Sequence, residues 1–424
     1  MSILIYFIIL ALVGAGLPLF LGLGILATFS FIQSGSDPTT VLLELNRLAS
    51  APTLLAIPLF TLAGYILAES KAPKRLYKLL SSSFGRLPGG IGLVSLIICA
   101  LFTCITGASG ITIIAIGGLI YPILRKQNYS ESFSLGLVTS SGSLGLLFPP
   151  SLPLILYGVV ASVSINKLFL AGILPGILII IALYLYSLKQ ETVSSEDSES
   201  DYSFQRLFKN TKTTKWELPI PLIIIGGIYG GLLTVVEAAA FTAFYVFIIE
   251  FFVNGDLNLK NDFVPIFRDT TRLVGGILII LGMAMGLTGY MIDQQIPQAI
   301  LGFVQNFVSS RLNFLLLLNV FLLVTGFFLD IFSAIIVVVP MIVPIAQSYG
   351  VNPIHLGIIF LTNLEIGYLT PPIGLNLFIS SYRFKKSILH LYKVSLPFLL
   401  ILLVCLAIIT YFPQLSLFLV NSIY

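Results

Sequence analysis

The sequence predicts an all-α polytopic membrane protein, on three observations. Of its 424 residues, 57% are hydrophobic and 9% charged, and the mean hydropathy is +1.04, whereas an average soluble domain carries about 25% charged residues. Apolar segments recur from residue 2 to residue 420, and about 20 such residues cross about 30 Å of hydrocarbon. Lysine and arginine cluster between those segments rather than within them. On the order of ten or more membrane-embedded segments and no soluble domain are expected.

The first stretch, "SILIYFIILALVGAGLPLFLGLGILATFSFI", lacks a basic n-region and is longer than a signal peptide's apolar core, so it is expected to be membrane-embedded and retained. Basic residues then fix orientation. Five lie in 71–86, two at Arg125 and Lys126, five in 189–215, three in 254–272 and four in 383–393. These are 19 of the 22, and the positive-inside rule places all five loops in the cytoplasm. Between Arg86 and Arg125 the chain leaves that side and returns with "TGAS" (Thr106 to Ser109) at its centre. Two full spans or a re-entrant hairpin satisfy this, and arms of about 18 residues with a polar tip favour a hairpin over about 88–124, its tip buried in protein. The segment from about 131 to 162 then crosses outward with Pro149-Pro150 in its middle, too long for one straight helix and expected to be broken and partly unwound. Residues 168–188 return.

Pro-Pro occurs twice, at 149–150 and 371–372, 222 residues apart. The same offset relates Pro122 to Pro344 and Gly145 to Gly367, aligning "GLLFPPSLPL" with "GYLTPPIGLN". Working back from the basic loop at 383–393, a second broken helix over about 356–382 runs inward, and a second hairpin over about 312–345 enters from outside with "TGFFLD" (Thr325 to Asp330) near its tip. The chain thus divides into a first repeat (1–188), a polar cytoplasmic linker (189–217) and a second repeat (218–424). Opposite orientations of similar halves mark an inverted-repeat transporter.

Unwinding at membrane depth frees carbonyls that coordinate Na⁺ and helix N-termini that attract anions; a simple proline kink is the alternative. Glu237, Asp330 and Glu365 fall within apolar segments. Such groups are functional candidates by default. Asp330 and Glu365 are expected to hold a cation, carry a proton or bond to a hairpin backbone, and Glu237 is read as a helix-start residue. With no lysine or arginine in the expected core, an anionic substrate is left to hydroxyls, backbone amides, bound cations, Asn363 and Asn376. Cys99, Cys104 and Cys405 have no CxxC spacing and are expected as packing residues.

These residues together resemble the large membrane subunit of tripartite ATP-independent periplasmic (TRAP) transporters. The resemblance covers essentially the whole chain. It rests on "AIPLFTLAGYIL" (56–67), "LPGGIGLVSLIICALFTCITGASGITIIAIGGLIYPIL" (87–124), "LGLLFPPSLPLILYG" (144–158), "GGIYGGLLTVVEAAA" (226–240) and "HLGIIFLTNLEIGYLTPPIGLNLF" (355–378). It implies an elevator-type, Na⁺-coupled carrier of the bacterial inner membrane, with two re-entrant hairpins and two discontinuous helices. Its implied substrate is a carboxylate, such as a sialic acid or a dicarboxylate, delivered by a soluble periplasmic binding protein, and it works with a separate small membrane subunit. By motif, one Na⁺ site falls at Thr106, Ser109, Gly145, Phe148 and Pro150, and a second at Gly326, Leu329, Ile366, Leu369 and Pro372. Gly107, Asp330, Asn363, Glu365 and Asn376 support these sites or the substrate. Where the family reads Ser-Gly-Ser-Ser, this chain reads Thr106-Gly107-Ala108-Ser109, so the middle hydroxyl is lost.

Other readings are weaker. A proton-coupled carrier taking free substrate without a binding protein is the nearest rival, since no partner-binding motif is readable. Gly107-Ala108-Ser109-Gly110 matches the GxSG of intramembrane proteases, but His355, expected at an outer loop, and His390, in a basic loop, lie far from it. A channel fits paired hairpins poorly, no Walker A sequence is present for ATP, and the bilayer rather than nucleic acid is the expected surrounding.

Overall fold

Glycine and proline set most of the element limits. The computed structural model describes residues 8, 9, 11–13, 15–85, 87–190, 210–308, 310–371 and 374–424, and among them every regular element is helical. Among the described residues, eight helices, or nine when one bent pair is taken as a single span, are long and apolar enough to cross a bilayer. Most of the expected linker, residues 191–209, lies outside the described residues.

Helices α1 (Leu19–Gln33), α2 (Thr40–Ala49), α3 (Ala56–Glu69) and α4 (Ala72–Phe84) lead into α5 (Gly90–Thr106). At Gly107 the backbone turns left-handed (φ 67°), Ala108 is extended, and α6 (Ser109–Lys126) runs back, with a π-helical turn over Thr112–Gly117. A side chain at this φ costs about 1–2 kcal/mol, so glycine lets the chain reverse within two residues. The returning arm is fastened to the first, because Thr103 Oγ1 lies 2.7 Å from Thr112 Oγ1 and donates to the carbonyl of Gly142 or its own turn.

Helix α7 (Glu131–Ser141) starts on Ser130, whose Oγ accepts from Phe133 N at 3.1 Å, and continues as a 3₁₀ turn over Leu144–Leu147. Phe148 is extended, Pro149-Pro150 follow, and α8 (Leu152–Val160) leaves bent by 44°. Prolines remove donors and forbid the preceding turn, so the chain restarts only at Leu152, with Pro153 in the tolerant first turn. Helix α9 (Ile165–Leu188) packs along this break, where added β-carbons at Gly172 and Gly176 would strike the Leu147 carbonyl at 1.9 Å and the Phe148 ring at 2.5 Å.

The second half begins with α10 (Pro219–Tyr229) and α11 (Val235–Val253). Glu237 takes its expected place in the first turn of α11, forming a capping box with Thr234. The 31 residues of α12 (Phe263–Asp293) span about 46 Å at 1.5 Å each. After α13 (Ile296–Phe307), α14 (Arg311–Phe328) and α15 (Ile331–Ser348) form a second hairpin, turned by extended Leu329 and by Asp330, which caps α15. Helix α16 (Pro353–Gly367) ends just before Pro371, and α17 (Leu375–Phe384) restarts after left-handed Gly374 (φ 50°). Helices α18 (Ile388–Tyr411) and α19 (Pro413–Ile423) finish the chain.

His355 is not in an outer loop. Asn352 caps Ile354 N at 2.8 Å and Pro353 opens α16, so His355 is its third residue, fully buried between Ser416 Oγ (3.2 Å) and the Thr410 carbonyl (3.3 Å).

Element limits recur at a spacing of 222 residues: Thr106 and Phe328 end first hairpin arms, Ser109 and Ile331 begin second arms, Lys126 and Ser348 end them, and Glu131 and Pro353 open the helices that break. The halves also interlock. Helix α8 packs on α15, and α17 packs on α6 and α7.

One charged cluster ties α4 to the second half. Arg75 donates through Nε to Glu217, through Nη1 to Asp256 and through Nη2 to both Glu250 oxygens at 3.1 Å. The three carboxylate side chains are at most 6% exposed. Burial works against charge on Asp256, but the hydrogen bond and charge of Arg75 and the Lys71 N–H outweigh it and hold this carboxyl below the usual range.

Candidate functional site at the two helix breaks

Each hairpin tip rests on the break of its own half. Thr106 and Ser109, 1% and 4% exposed, flank the first tip, and Thr106 packs on α3, where an added β-carbon at Gly64 would fall 2.6 Å from the Thr106 Cα. A β-carbon at Gly107 would meet Leu152 Cβ at 2.6 Å, so the tip touches the chain just after Pro150. Gly145 packs the 3₁₀ turn onto α5; its β-carbon would lie 2.3 Å from the Ala100 carbonyl oxygen and 2.4 Å from Cys104 N. Phe148 is half-buried against Gly176 and Pro150 is buried. The tip and break carry the Thr106 and Ser109 hydroxyls, the carbonyls at the end of α5, of which Thr103 accepts from Gly107 N, and those of the unwound turn, where the Gly145 and Phe148 carbonyls accept from Phe148 N and Ser151 N. An oxygen-only set of this kind suits a hard monovalent cation.

The second tip repeats the arrangement. Gly326 and Gly367 meet backbone to backbone, a β-carbon on Gly367 falling 2.7 Å from the Gly326 Cα and 2.8 Å from its carbonyl oxygen. Ile331 N donates to Tyr368 Oη at 2.7 Å, linking the tip to the break. Ile366 and Leu369 are 1% and 2% exposed, and Leu329 is half-buried. Pro372 lies outside the described residues. Asp330 is committed to the hairpin backbone: Oδ1 accepts from Phe332 N at 3.0 Å and Ser333 N at 3.1 Å, and Oδ2 accepts from Ser333 Oγ. Of the two asparagines, Asn363 turns to α14, donating to Asn319 Oδ1 at 2.7 Å, while Asn376 crosses to the first half, donating to the Thr139 carbonyl at 3.3 Å and Ser143 Oγ at 3.4 Å. Glu365 is fully buried, and its carboxyl faces the Ser143 hydroxyl.

Several residues here escape a reading of the sequence alone. Thr139 donates to Ser380 Oγ at 2.9 Å, and Arg383 Nε donates at 2.9 Å to the Ile114 carbonyl in the π-helical turn. The available signal was the hydroxyl run Thr139-Ser140-Ser141-Gly142-Ser143 just before a break in an apolar segment. Glu250, in "FIIEFFV", is likewise an acid within apolar sequence, and the structure pairs it with Arg75. Ser109 is not joined to a histidine among the described residues: the partners of His355 are Ser416 and Thr410, and the backbone N–H of His390 bonds to Ser387. The three cysteines are free and buried.

A membrane bundle with broken helices and hairpins meeting at its centre has the form of a secondary transporter. The chain belongs to the DctM component family of tripartite ATP-independent periplasmic transporters, whose model matches residues 4–415. It is 33% identical over 436 residues to the C4-dicarboxylate TRAP transporter large permease protein DctM of Rhodobacter capsulatus, covering 99% of each chain. It is 35% identical over 408 residues to the isethionate TRAP transporter permease protein DctMQ of Oleidesulfovibrio alaskensis, covering 95% of this chain but spanning 64% of the length of that protein. Among solved structures, the Alcanivorax borkumensis YdaH transporter shares the fold with a TM-score of 0.62 at 15% identity, over 89% of this chain and 87% of that one. The protein is therefore a multi-pass transporter component of the bacterial inner membrane, not an enzyme.

Proposed function

We propose that this chain is the membrane carrier of a Na⁺-coupled system that imports an organic anion handed over by a periplasmic binding protein, working beside a small membrane subunit. The observation that carries the reading is the paired docking of hairpin tips on breaks, Gly107 on Leu152 and Gly326 on Gly367, at one constant spacing in the two halves. Thr106, Ser109 and the carbonyls around Gly145, Phe148 and Pro150 would hold one Na⁺, and the carbonyls around Gly326, Leu329, Ile366 and Leu369 a second. A bound Na⁺ supplies positive charge where the protein has none, which attracts an anion to the neighbouring hydroxyls and backbone amides. The substrate class is taken from the relatives, one named for C4-dicarboxylates and one for isethionate. The clusters of basic residues support cytoplasmic placement of the five loops and opposite orientation of the halves. Rigid sliding of the hairpins and breaks against α1, α2, α3, α11 and α12 would give elevator-type alternating access.

Uptake into proteoliposomes tests this directly. Dicarboxylates, sialic acids and small sulfonates are offered in turn with an inward Na⁺ gradient, with and without the binding protein. Uptake requiring both is the expected result. Uptake without the binding protein moves the chain to the free-substrate class, and uptake without Na⁺ removes the cation sites.

A further inference from the structure

A continuous run of hydrogen bonds leads from the second hairpin tip, through the second break, to the first half. Tyr368, which follows α16, accepts at Oη from Ile331 N of the tip at 2.7 Å, and its carbonyl accepts from Asn376 N in the first turn of α17 at 3.1 Å. Asn376 then crosses between halves, its Nδ2 donating to the Thr139 carbonyl at 3.3 Å and to Ser143 Oγ at 3.4 Å. Thr139 is held a second time, because its Oγ1 donates to Ser380 Oγ at 2.9 Å. The run ends at Arg383, whose Nε donates at 2.9 Å to the Ile114 carbonyl in the π-helical turn of α6. Thr139, Ser143, Asn376 and Ser380 are fully buried, so water does not compete for the bonds they share.

Asn376, Ser380 and Arg383 stand at i, i+4 and i+7, and therefore on one face of α17. Glycines on α6 let that helix lie close. An added β-carbon at Gly110 would fall 2.8 Å from Ile379 Cδ1, and one at Gly118 would fall 2.0 Å from Arg383 Nη2. The ten residues of α17, about 15 Å long, thus start beside the second break and end over the arm that opens with Ser109. On the way they grip Ser143, two residues before Gly145.

We infer that α17 is a strut that couples the two helix breaks, with Asn376, Ser380 and Arg383 as positioning residues that hold α6 and the unwound end of α7 in place from the second half. The inference rests on the reading of two Na⁺ sites and deepens it. An ion gathering the carbonyls around Ile366 and Leu369 fixes Tyr368 and, through its carbonyl, the start of α17. The strut then sets the Ser143 stretch and the Ser109 arm where the other ion needs them, so the second ion to bind has less chain to order. Such coupling is reciprocal, whichever site fills first.

The test is equilibrium binding of radioactive ²²Na⁺ to the full-length chain in detergent micelles over a NaCl series, with choline chloride holding ionic strength constant. Coupling in the usual range of about 5–150-fold gives two sites of similar affinity a Hill coefficient of about 1.4–1.9. The unmodified chain should bind two Na⁺ with a coefficient in that range. Ser380→Ala and Arg383→Met should still bind two Na⁺, with the coefficient falling toward one. Arg383→Gln should keep the coefficient, since its amide nitrogen occupies the place of Nε along the side chain and donates to the Ile114 carbonyl without charge. A merely structural role would lower the melting midpoint in these variants and leave the coefficient where it was. If Arg383→Met does not fold, Ser380→Ala decides alone. Two ions bound with an unchanged coefficient in the variants, or with a coefficient of one in the unmodified chain, would overturn the strut while leaving both sites intact. Absence of Na⁺ binding to the unmodified chain would remove the coupled reading as well.

Discussion

Removal of the Arg75 side chain gives a quantitative test of how α4 is held. Arg75→Ala strands Glu217, Glu250 and Asp256, which are 1%, 0% and 6% exposed and share this one guanidinium. Lys71, 70% exposed and 3.5 Å from Asp256, remains nearby, and Asn254 Nδ2 donates at 3.5 Å to Glu217 and Glu250 without supplying charge. Removing one partner of a buried ion pair costs about 3–5 kcal/mol. With an unfolding entropy of about 2.1 cal/mol/K per residue, 424 residues give about 0.9 kcal/mol/K, so the melting midpoint should fall by about 3–6 °C. Thermal melts in detergent at pH 7, read by intrinsic fluorescence, measure this. The pH dependence carries a sign. Asp256 titrates below its ordinary value, chiefly because Arg75 overcomes the effect of burial, so its contribution is present above about pH 3.9 and is lost as pH falls through the folded value. The share of the gap that Asp256 carries should be present at pH 7 and shrink as pH falls below about 3.9. A variant melting within 1 °C of the unmodified chain at pH 7, or a gap unchanged at pH 3.5, refutes the clamp.

Other substitutions probe the tips. Gly367→Ala drives a methyl into the Gly326 backbone, where no side chain can yield; overpacking costs about 1–3 kcal/mol, and uptake should fall far more than membrane insertion, measured on the same preparation. Tyr368→Phe leaves Ile331 N without its acceptor and should cost about 1 kcal/mol, seen as a lower melting midpoint at fixed Na⁺. Asp330→Asn retains a good cap and should raise the Na⁺ concentration for half-maximal uptake less than Asp330→Ala does, since the backbone bonds of the tip depend on this side chain. In a background lacking Cys99, Cys104 and Cys405, cysteines near 167 and 350 should react with an impermeant thiol reagent from outside, and those near 78 and 386 should not; labelling of all four from one side excludes opposed halves.

The hairpins and breaks were legible because backbone chemistry writes them locally. Gly107, Pro149, Pro150 and Gly374 constrain the chain whatever surrounds them, and hydropathy marks the helices between. Side-chain partnerships were less legible. Arg75 meets residues 142, 175 and 181 positions away, and Asn376 reaches back 233 to Ser143, separations at which no periodicity carries information. Asp330 was singled out by its apolar surroundings, but only geometry shows that its oxygens are occupied by capping, whereas Glu365 caps no helix. The π-helical turn at Thr112–Gly117, against which α17 packs, had no signal of its own.

The mutual clasp of α8 with α15 and of α17 with α6 and α7 constrains biogenesis. Ribosomes add roughly 5–20 residues per second, so the 233 positions from Ser143 to Asn376 take about 10–50 s to synthesise. Throughout that interval the nascent first half lacks α17 against its hydroxyl-bearing α7 and α15 against α8. A gene divided in the polar stretch after residue 190 should yield two fragments that accumulate only when made together, each acting as the folding template of the other.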